Sequence, residues 1–207
     1  MRSKIDTDLF KWLQAVQPPT MSLDEVHRYY QTISPRNVFM KNLPDGAKMV
    51  DFGAGSGGTA ALRTWPTFPR PDIRLFAITL DGKEHLGAYE EVFVGDFEKT
   101  RPGFRREKTF DGISCCHCIE HLSRFEPALE WMRSILPSNG CAYIEWPHHS
   151  SKNQPSRLRL IELGYDVSTI NFFDDRTHVE TWPMADMISV AERLGFDVEA
   201  SGRILGP

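Results

Sequence analysis

The sequence predicts a doubly wound α/β protein, in which helices cover both faces of a mostly parallel sheet. Two observations support this fold class. Five short apolar runs alternate with helical stretches after residue 46. Several of these runs are apolar at consecutive positions, which is typical of parallel strands buried on both faces. With 207 residues, the chain is most simply one domain that buries a substantial core.

The strands and helices are predicted from the spacing of apolar residues. Strands are expected at 48–53, 73–80, 91–96, 110–116 and 141–147. Amphipathic helices are expected at 127–136 and 184–195. The first of these helices should place four apolar side chains on one face: Leu129, Met132, Ile135 and Leu136.

Two segments lie outside this alternating pattern. Residues 1–46 form a predicted N-terminal helical extension to the domain at 47–207, and Ser22 and Glu25 have the spacing of a capping box, which predicts a helix beginning near Leu23. Residues 148–183 are far longer than an ordinary connection between a strand and a helix. We expect this segment to be a substrate lid.

Composition excludes several classes of function. The formal net charge of −4 argues against a nucleic-acid partner. No apolar run is long enough to span a membrane, and the first residues lack the apolar core of a secretory signal. Three of the four cysteines fall within residues 115–118, which suits a reduced, cytoplasmic protein better than a disulfide framework.

A glycine-rich loop follows the first predicted strand. Gly53, Gly55 and Gly58 match the G-x-G-x-x-G dinucleotide pattern, whereas the Gly-Lys-Ser/Thr of a phosphate-binding P-loop does not follow. Asp51 argues against a pyrophosphate, because a carboxylate there suits a ligand's ammonium group or an ordered water better. A nicotinamide cofactor nevertheless stays open on the pattern alone.

Acidic residues also follow the second and third predicted strands. Asp81 is positioned to accept both hydroxyls of a ribose, although Thr79 is an alternative for the strand end. Asp96 could bind an exocyclic amine, and Phe97 could pack against an adenine face. Simple turns are the alternative explanation for both aspartates.

The order of these segments resembles that of class I S-adenosylmethionine-dependent methyltransferases. The similarity covers about residues 47–204 and includes "VDFGAGSGG", "LDG", "VGDFEK", "FDGISCCHCIEHL" and "LPSNGCAYIEWPH". It implies a Rossmann-like sheet and S-adenosylmethionine as cofactor. By this resemblance the cofactor would contact Asp51, Gly53, Gly55, Asp81, Asp96, Phe97, Cys116 and His117. Two features depart from the family pattern: the gap between Asp51 and Asp81 is long, and the final hairpin strand is missing or cut short.

The C-terminal part resembles bacterial methyltransferases of glycan and polysaccharide biosynthesis, in which an Asp-x-x-His stretch precedes an aromatic residue and a helix. Here that stretch runs from Asp175 to His178. The resemblance implies O-methylation of a sugar, glycan or similar small polar metabolite. Removing the hydroxyl proton calls for a general base, and the candidates are His178, which we favour, and His121.

Three alternatives stay open at this point. Some methyltransferases of this class bind a divalent ion through a Glu-x-x-Glu-His stretch. Here His117 replaces the first Glu, Glu120 and His121 match the pattern, and His178 could complete the site. The sequence favours a reaction without a metal. A catalytically silent cofactor-binding partner and an NAD-dependent oxidoreductase are the remaining alternatives.

Overall fold

The computed structural model describes residues 22, 25, 34–63, 69–82, 84–104, 110–164 and 171–203, which contain one five-stranded sheet. The strands are β1 (Lys48–Phe52), β2 (Arg74–Thr79), β3 (Glu91–Val94), β4 (Gly112–Cys116) and β5 (Cys141–Glu145). Their order is β3-β2-β1-β4-β5, and every neighbouring pair is parallel. All five predicted strands are therefore confirmed, and the strand order reverses between β1 and β4, where doubly wound proteins bind ligands.

Five α-helices have both ends within the described part of the chain. They are α1 (Pro35–Asn42), α2 (Gly58–Arg63), α3 (Glu126–Ile135), α4 (Arg157–Glu162) and α5 (Met184–Arg193). Short 3-10 turns occupy Glu84–Ala88, Ile119–His121, His149–Asn153 and Phe172–Asp174. The two predicted amphipathic helices correspond to α3 and α5.

The pleat of β1 divides the core between the two faces of the sheet. Met49 belongs to an apolar cluster with Met40 of α1, whereas Val50 belongs to a cluster with Met132 of α3 and Met187 of α5. Successive strand residues point to opposite faces, so a strand covered on both sides must be apolar at consecutive positions. The doubly wound fold predicted from the sequence is confirmed.

The predicted apolar face of α3 is also confirmed, because all four of its side chains are buried: Leu129, Met132, Ile135 and Leu136. At the other face, α1 lies close to β4. A Cβ atom at Gly112 would lie only 2.7 Å from Leu43 Cδ2, so β4 needs a glycine where the chain after α1 crosses it. Part of the predicted extension therefore packs against the sheet.

Ser22 and Glu25 make the reciprocal hydrogen bonds of a capping box: the Glu25 amide donates to Ser22 Oγ (3.3 Å), and the Ser22 amide donates to Glu25 Oε2 (2.7 Å). The rest of the helix predicted from Leu23 lies outside the described residues. No helix in the described ranges is long and apolar enough to cross a membrane.

The long segment 148–183, here called the excursion, returns to the sheet beside the turn that follows β4. The Val179 amide donates to the Glu120 carbonyl oxygen (2.8 Å), and Trp182 Nε1 donates to the Ile119 carbonyl oxygen (3.1 Å). Trp146 Nε1, just after β5, donates to the Trp182 carbonyl oxygen (2.8 Å). These bonds hold the end of the excursion at the carboxyl edge of the sheet.

Candidate functional site

The loop after β1 makes a tight turn at the centre of the carboxyl edge. Gly53 and Ala54 both donate amide hydrogen bonds of 2.9 Å to the Ile78 carbonyl oxygen. Gly53 has φ +86° and Gly55 has φ +52°, values that L-residues with a side chain rarely adopt. A Cβ at Gly53 would lie 2.4 Å from Cys118 Cβ. This loop can therefore approach the loop after β4 so closely only because residue 53 has no side chain.

Asp51 lies beneath this loop and is 4% exposed. Its Oδ2 accepts a 2.6 Å hydrogen bond from the Tyr89 hydroxyl. Burial raises the pKa of Asp51, while hydrogen bonds from Tyr89 and Thr59 and the charge of Arg36 oppose that rise. Sequence reasoning missed Tyr89, because no spacing rule links two residues 38 positions apart.

The end of β2 settles one question of register. The strand ends at Thr79, which is buried, and Asp81 lies two residues beyond it on the exposed surface. The Thr79 hydroxyl donates to the Asp81 carbonyl oxygen (3.1 Å) and so stabilises the turn. The strand end is therefore Thr79, the alternative that the sequence left open, and the ribose-binding role of Asp81 stays a prediction.

The residues after β3 are ordered by local contacts. Asp96 Oδ1 accepts the Glu98 amide hydrogen bond (2.9 Å) and Oδ2 pairs with Lys99 Nζ (2.9 Å). The hydrogen bond from Lys99 and that from the Glu98 amide lower the pKa of Asp96. Asp96 is thus a carboxylate in a strand-end turn, and its contact with a ligand amine stays a prediction.

Phe97 is a core residue and is 5% exposed. Its ring packs against Phe52 (4.7 Å between ring centroids) and Trp131 (5.6 Å), and the Arg101 guanidinium lies 4.1 Å from its centroid. These contacts occupy most of the surface of the ring, and its contact with adenine stays a prediction. Leu80 and Val94, by contrast, are 74% and 53% exposed at the ends of β2 and β3, and the sequence analysis did not select them.

The loop after β4 contains His117, the one non-glycine residue with positive φ (+50°) in the described part of the chain. His117 Nε2 lies 2.9 Å from Glu145 Oε1, and Nδ1 lies 3.5 Å from Glu120 Oε1. These interactions, with that of Glu120 the larger, raise the pKa of His117 to about 9. At neutral pH the ring is therefore a cation between two carboxylates. Cys116, just before it, has its pKa raised to about 11 by burial and stays a thiol.

Glu145, at the end of β5, is a further site residue that the sequence analysis missed. Its Oε2 accepts the Tyr143 hydroxyl hydrogen bond (2.6 Å), and Arg36 Nη2 lies 3.7 Å from Oε1. Burial works to raise the pKa of Glu145, but the hydrogen bonds from His117 and Tyr143 and the charge of Arg36 lower it to about 2. The acid in "YIEWP", two residues after a strand tyrosine, is the signal that would have identified it.

The structure brings together the two histidines proposed as bases. The rings of His121 and His178 lie 4.7 Å apart between centroids, and His178 Nε2 lies 3.8 Å from Glu120 Oε1. The side chain of His178 is 10% exposed, and that of Glu120 is fully buried. The two imidazoles and the buried carboxylate therefore form one cluster beside the loop that follows β4.

Comparison with known proteins identifies the class. The profile of a family described as "Methyltransferase domain" matches residues 24–201. The chain belongs to this methyltransferase family. Membership of this family confirms that the chain is a methyltransferase and that its cofactor is S-adenosylmethionine. The cofactor is therefore not the nicotinamide dinucleotide that the glycine pattern alone left open. No curated protein matches the chain.

Solved structures show the same fold as this methyltransferase. A SAM-dependent methyltransferase from Archaeoglobus fulgidus is 20% identical with a TM-score of 0.55, and the match covers 92% of this chain and 75% of that one. The cyclopropane synthase MmaA2 from Mycobacterium tuberculosis is 16% identical with a TM-score of 0.56, covering 89% of this chain and 65% of that one. The chain thus spans less than two thirds of the length of MmaA2.

Proposed function

We propose that this methyltransferase transfers the methyl group of S-adenosylmethionine to a hydroxyl of a sugar, glycan or similar small polar metabolite. One observation carries the proposal. The excursion docks His178 beside His121 and Glu120, at the carboxyl edge of the sheet where we expect the cofactor to bind. An acceptor held under the excursion would therefore meet imidazole groups close to the methyl donor.

For the cofactor we retain the residues predicted from the sequence. Asp51 would face the ammonium group, and the backbone at Gly53 and Gly55 would lie along the methionine and ribose. Asp81 would bind the ribose, with Cys116 and His117 near the methionine part. We add Leu80 and Val94 as candidates for the adenine face, because both are apolar and exposed at that edge. Asp96 and Phe97 keep their proposed places beside adenine.

In the proposed mechanism the protein mainly aligns the reactants. The acceptor oxygen attacks the methyl carbon, the carbon–sulfur bond breaks, and its electron pair stays on the sulfur of S-adenosylhomocysteine. Holding oxygen, carbon and sulfur in line supplies much of the rate enhancement. The hydroxyl proton passes to Nε2 of His178, which is the ring nitrogen that faces the Glu120 carboxylate.

The experiment is a transfer assay with methyl-labelled S-adenosylmethionine and a panel of monosaccharides, sugar nucleotides and short glycans, with amino sugars as the comparison. We expect label in a methyl ether and one equivalent of S-adenosylhomocysteine. His178→Gln should lower kcat by about 100-fold or more, as for loss of a general base, and the matched variant His149→Gln should keep full activity. Label found only on nitrogen would contradict the hydroxyl acceptor.

If S-adenosylmethionine binds and none of the acceptors is methylated, the silent-partner alternative is favoured instead. We also propose a cytoplasmic location. It is supported by the free thiols of all four cysteines. A fractionation experiment that recovers the chain with secreted proteins would contradict this location.

A further inference from the structure

Three potential metal ligands meet where the excursion contacts the turn after β4. Glu120, His121 and His178 each offer one ligand atom, and these three atoms all lie within 4.8 Å of one another. Two ligands come from the turn Ile119–His121 and the third comes from the excursion. Backbone hydrogen bonds from Val179 and Glu180 to the Glu120 carbonyl oxygen hold the two segments together.

The carboxylate of Glu120 is the most unusual of the three groups. The residue is 0% exposed, and neither carboxylate oxygen has a hydrogen-bond partner among the described residues. Burial of a carboxylate is strongly unfavourable unless hydrogen bonds or an opposite charge compensate it. The His117 ring is the nearest cation, at 3.5 Å, but its closer contact is the 2.9 Å pair with Glu145. Glu120 therefore faces the histidines with unused ligand capacity.

The hydrogen bonds of His178 determine which nitrogen is free. Its Nδ1 lies 2.6 Å from the Phe172 carbonyl oxygen, which can only accept, so Nδ1 carries the proton. In the neutral ring Nε2 then has a lone pair. That lone pair faces Glu120 Oε1 at 3.8 Å, and two electron-rich atoms facing each other call for a cation between them.

The same reasoning applies to His121. The Thr177 hydroxyl lies 2.6 Å from Asp175 Oδ1 and 2.9 Å from His121 Nδ1. Its single hydrogen is donated to the carboxylate, which can only accept, so His121 Nδ1 must donate to Thr177 Oγ1. His121 Nε2 is thereby left as the nitrogen available to a metal ion.

We propose that Glu120, His121 and His178 form a binding site for a divalent transition-metal ion such as Zn²⁺. Two imidazoles and one carboxylate are a donor set that such ions prefer, whereas Mg²⁺ prefers oxygen ligands. Metal-bound histidines generally donate their other N–H to a carbonyl or carboxylate, as His178 does to Phe172 and as His121 does through Thr177 to Asp175. Three protein ligands leave a position open for another group.

The consequence for catalysis rests on the proposed function, although the metal site itself does not. An acceptor hydroxyl at the open position would have its pKa lowered by the charge of the ion, and its proton would leave to solvent. His178 would then act as a ligand rather than as the base. The metal-free reaction favoured by the sequence would be replaced by a metal-assisted one.

The test uses the full chain without an affinity tag, treated with a chelator and then titrated by calorimetry with Zn²⁺, Co²⁺ and Mg²⁺. We expect one equivalent of Zn²⁺ or Co²⁺ to bind and Mg²⁺ not to compete. Glu120→Gln and His178→Ala should weaken Zn²⁺ binding by more than about 100-fold, because even partners behind the ligands contribute about 10- to 100-fold. Thr177→Val should weaken binding by about 10-fold.

His149→Ala is the matched control, because it removes a histidine of the same excursion outside the cluster, and it should leave Zn²⁺ binding unchanged. Each variant must still bind S-adenosylhomocysteine, which shows that it is folded. Unchanged binding in Glu120→Gln, or a thiolate charge-transfer band in the Co²⁺ spectrum, would overturn the site. Zn²⁺ binding that is lost in the variants, in a chain that methylates no sugar, would keep the metal site and reject the proposed function.

Discussion

At the scale of single residues, the carboxyl edge depends on a few backbone and side-chain positions that allow no substitution without a specific cost. Gly53 combines φ +86° with a close approach to Cys118. Asp51 is a buried carboxyl group whose hydrogen bond comes from a tyrosine distant in sequence. His117 holds a positive φ with a side chain present. Such positions cluster at functional sites, because the surrounding structure must compensate their strain or desolvation.

Gly53→Ala should lower the free energy of unfolding by about 2 kcal/mol or more. The alanine would have to adopt a left-handed backbone conformation, and its Cβ would overlap the Cys118 side chain. Each of these effects costs about 1–3 kcal/mol. Denaturant unfolding measures the change. Gly58→Ala is the control, because the added Cβ there would meet no atom within 4 Å beyond its chain neighbours and its own helix backbone. Equal stability of the two variants would show that the loop is not constrained at Gly53.

Asp51→Asn should make the free energy of unfolding less dependent on pH above the ordinary titration range of aspartate. Burial raises the pKa of Asp51 in the folded state. The native chain therefore binds more protons than the unfolded chain, and stability is lost as pH rises from the ordinary aspartate range through the raised pKa. The difference in unfolding free energy between Asp51→Asn and the unmodified chain should grow over that pH range. A difference that is constant with pH would contradict the raised pKa.

At the scale of elements, the end of the excursion is fixed to the sheet by a small number of hydrogen bonds. Trp182 takes part in two of them: its Nε1 donates to the Ile119 carbonyl oxygen, and its own carbonyl oxygen accepts from Trp146 Nε1. Its ring also packs against Phe125, with 5.1 Å between ring centroids. This residue links the turn after β4, the end of β5 and the beginning of α5.

Trp182→Phe should loosen the end of the excursion while the sheet stays intact. The variant keeps an aromatic ring but leaves the Ile119 carbonyl oxygen without its donor, at a cost of about 1 kcal/mol. Hydrogen exchange should become faster at the amides of Val179 and Glu180 and stay slow in β1. Phe173→Leu, an exposed change in the same excursion, should leave these rates unaltered. Unchanged exchange in Trp182→Phe would show that its indole N–H does not anchor the segment.

Much of the architecture follows from the sequence, because it depends on local composition. Consecutive apolar residues indicated several of the strands, and the helical spacing in 127–136 identified the face that α3 buries. Contacts between distant segments have no such local signal. The Tyr89 bond to Asp51, the pairing of His117 with Glu145 and the burial of Phe97 depend on how the strands are ordered in space. The end of β2 at Thr79 was likewise ambiguous, because both Thr79 and Asp81 are polar.

At the scale of the whole molecule, the two faces of the sheet are covered by separate apolar clusters, and the loops after β1 and β4 meet at its carboxyl edge. β1 contributes to both clusters and pairs with β2 and β4. A ligand bound at the end of β1 would lie between the strand ends of β2 and β4. Its binding should therefore stabilise the molecule as a unit.

S-adenosylhomocysteine should raise the free energy of unfolding by about 2.7 kcal/mol when present at about 100 times its Kd, because it binds the native chain and not the unfolded one. Thermal unfolding with increasing ligand measures the effect. NAD is the matched control, since it shares the adenosine part, and it should shift the midpoint far less. A larger stabilisation by NAD would contradict the assigned cofactor site.

Glu120 contacts the excursion through its backbone and through its side chain. Its carbonyl oxygen accepts the amides that dock the excursion, and its carboxylate faces the histidine that the excursion delivers. Separating the excursion from the turn after β4 would therefore take His178 away from Glu120 and His121. If the excursion acts as the proposed substrate lid, the imidazole–carboxylate cluster would be complete only while the lid is closed over an acceptor.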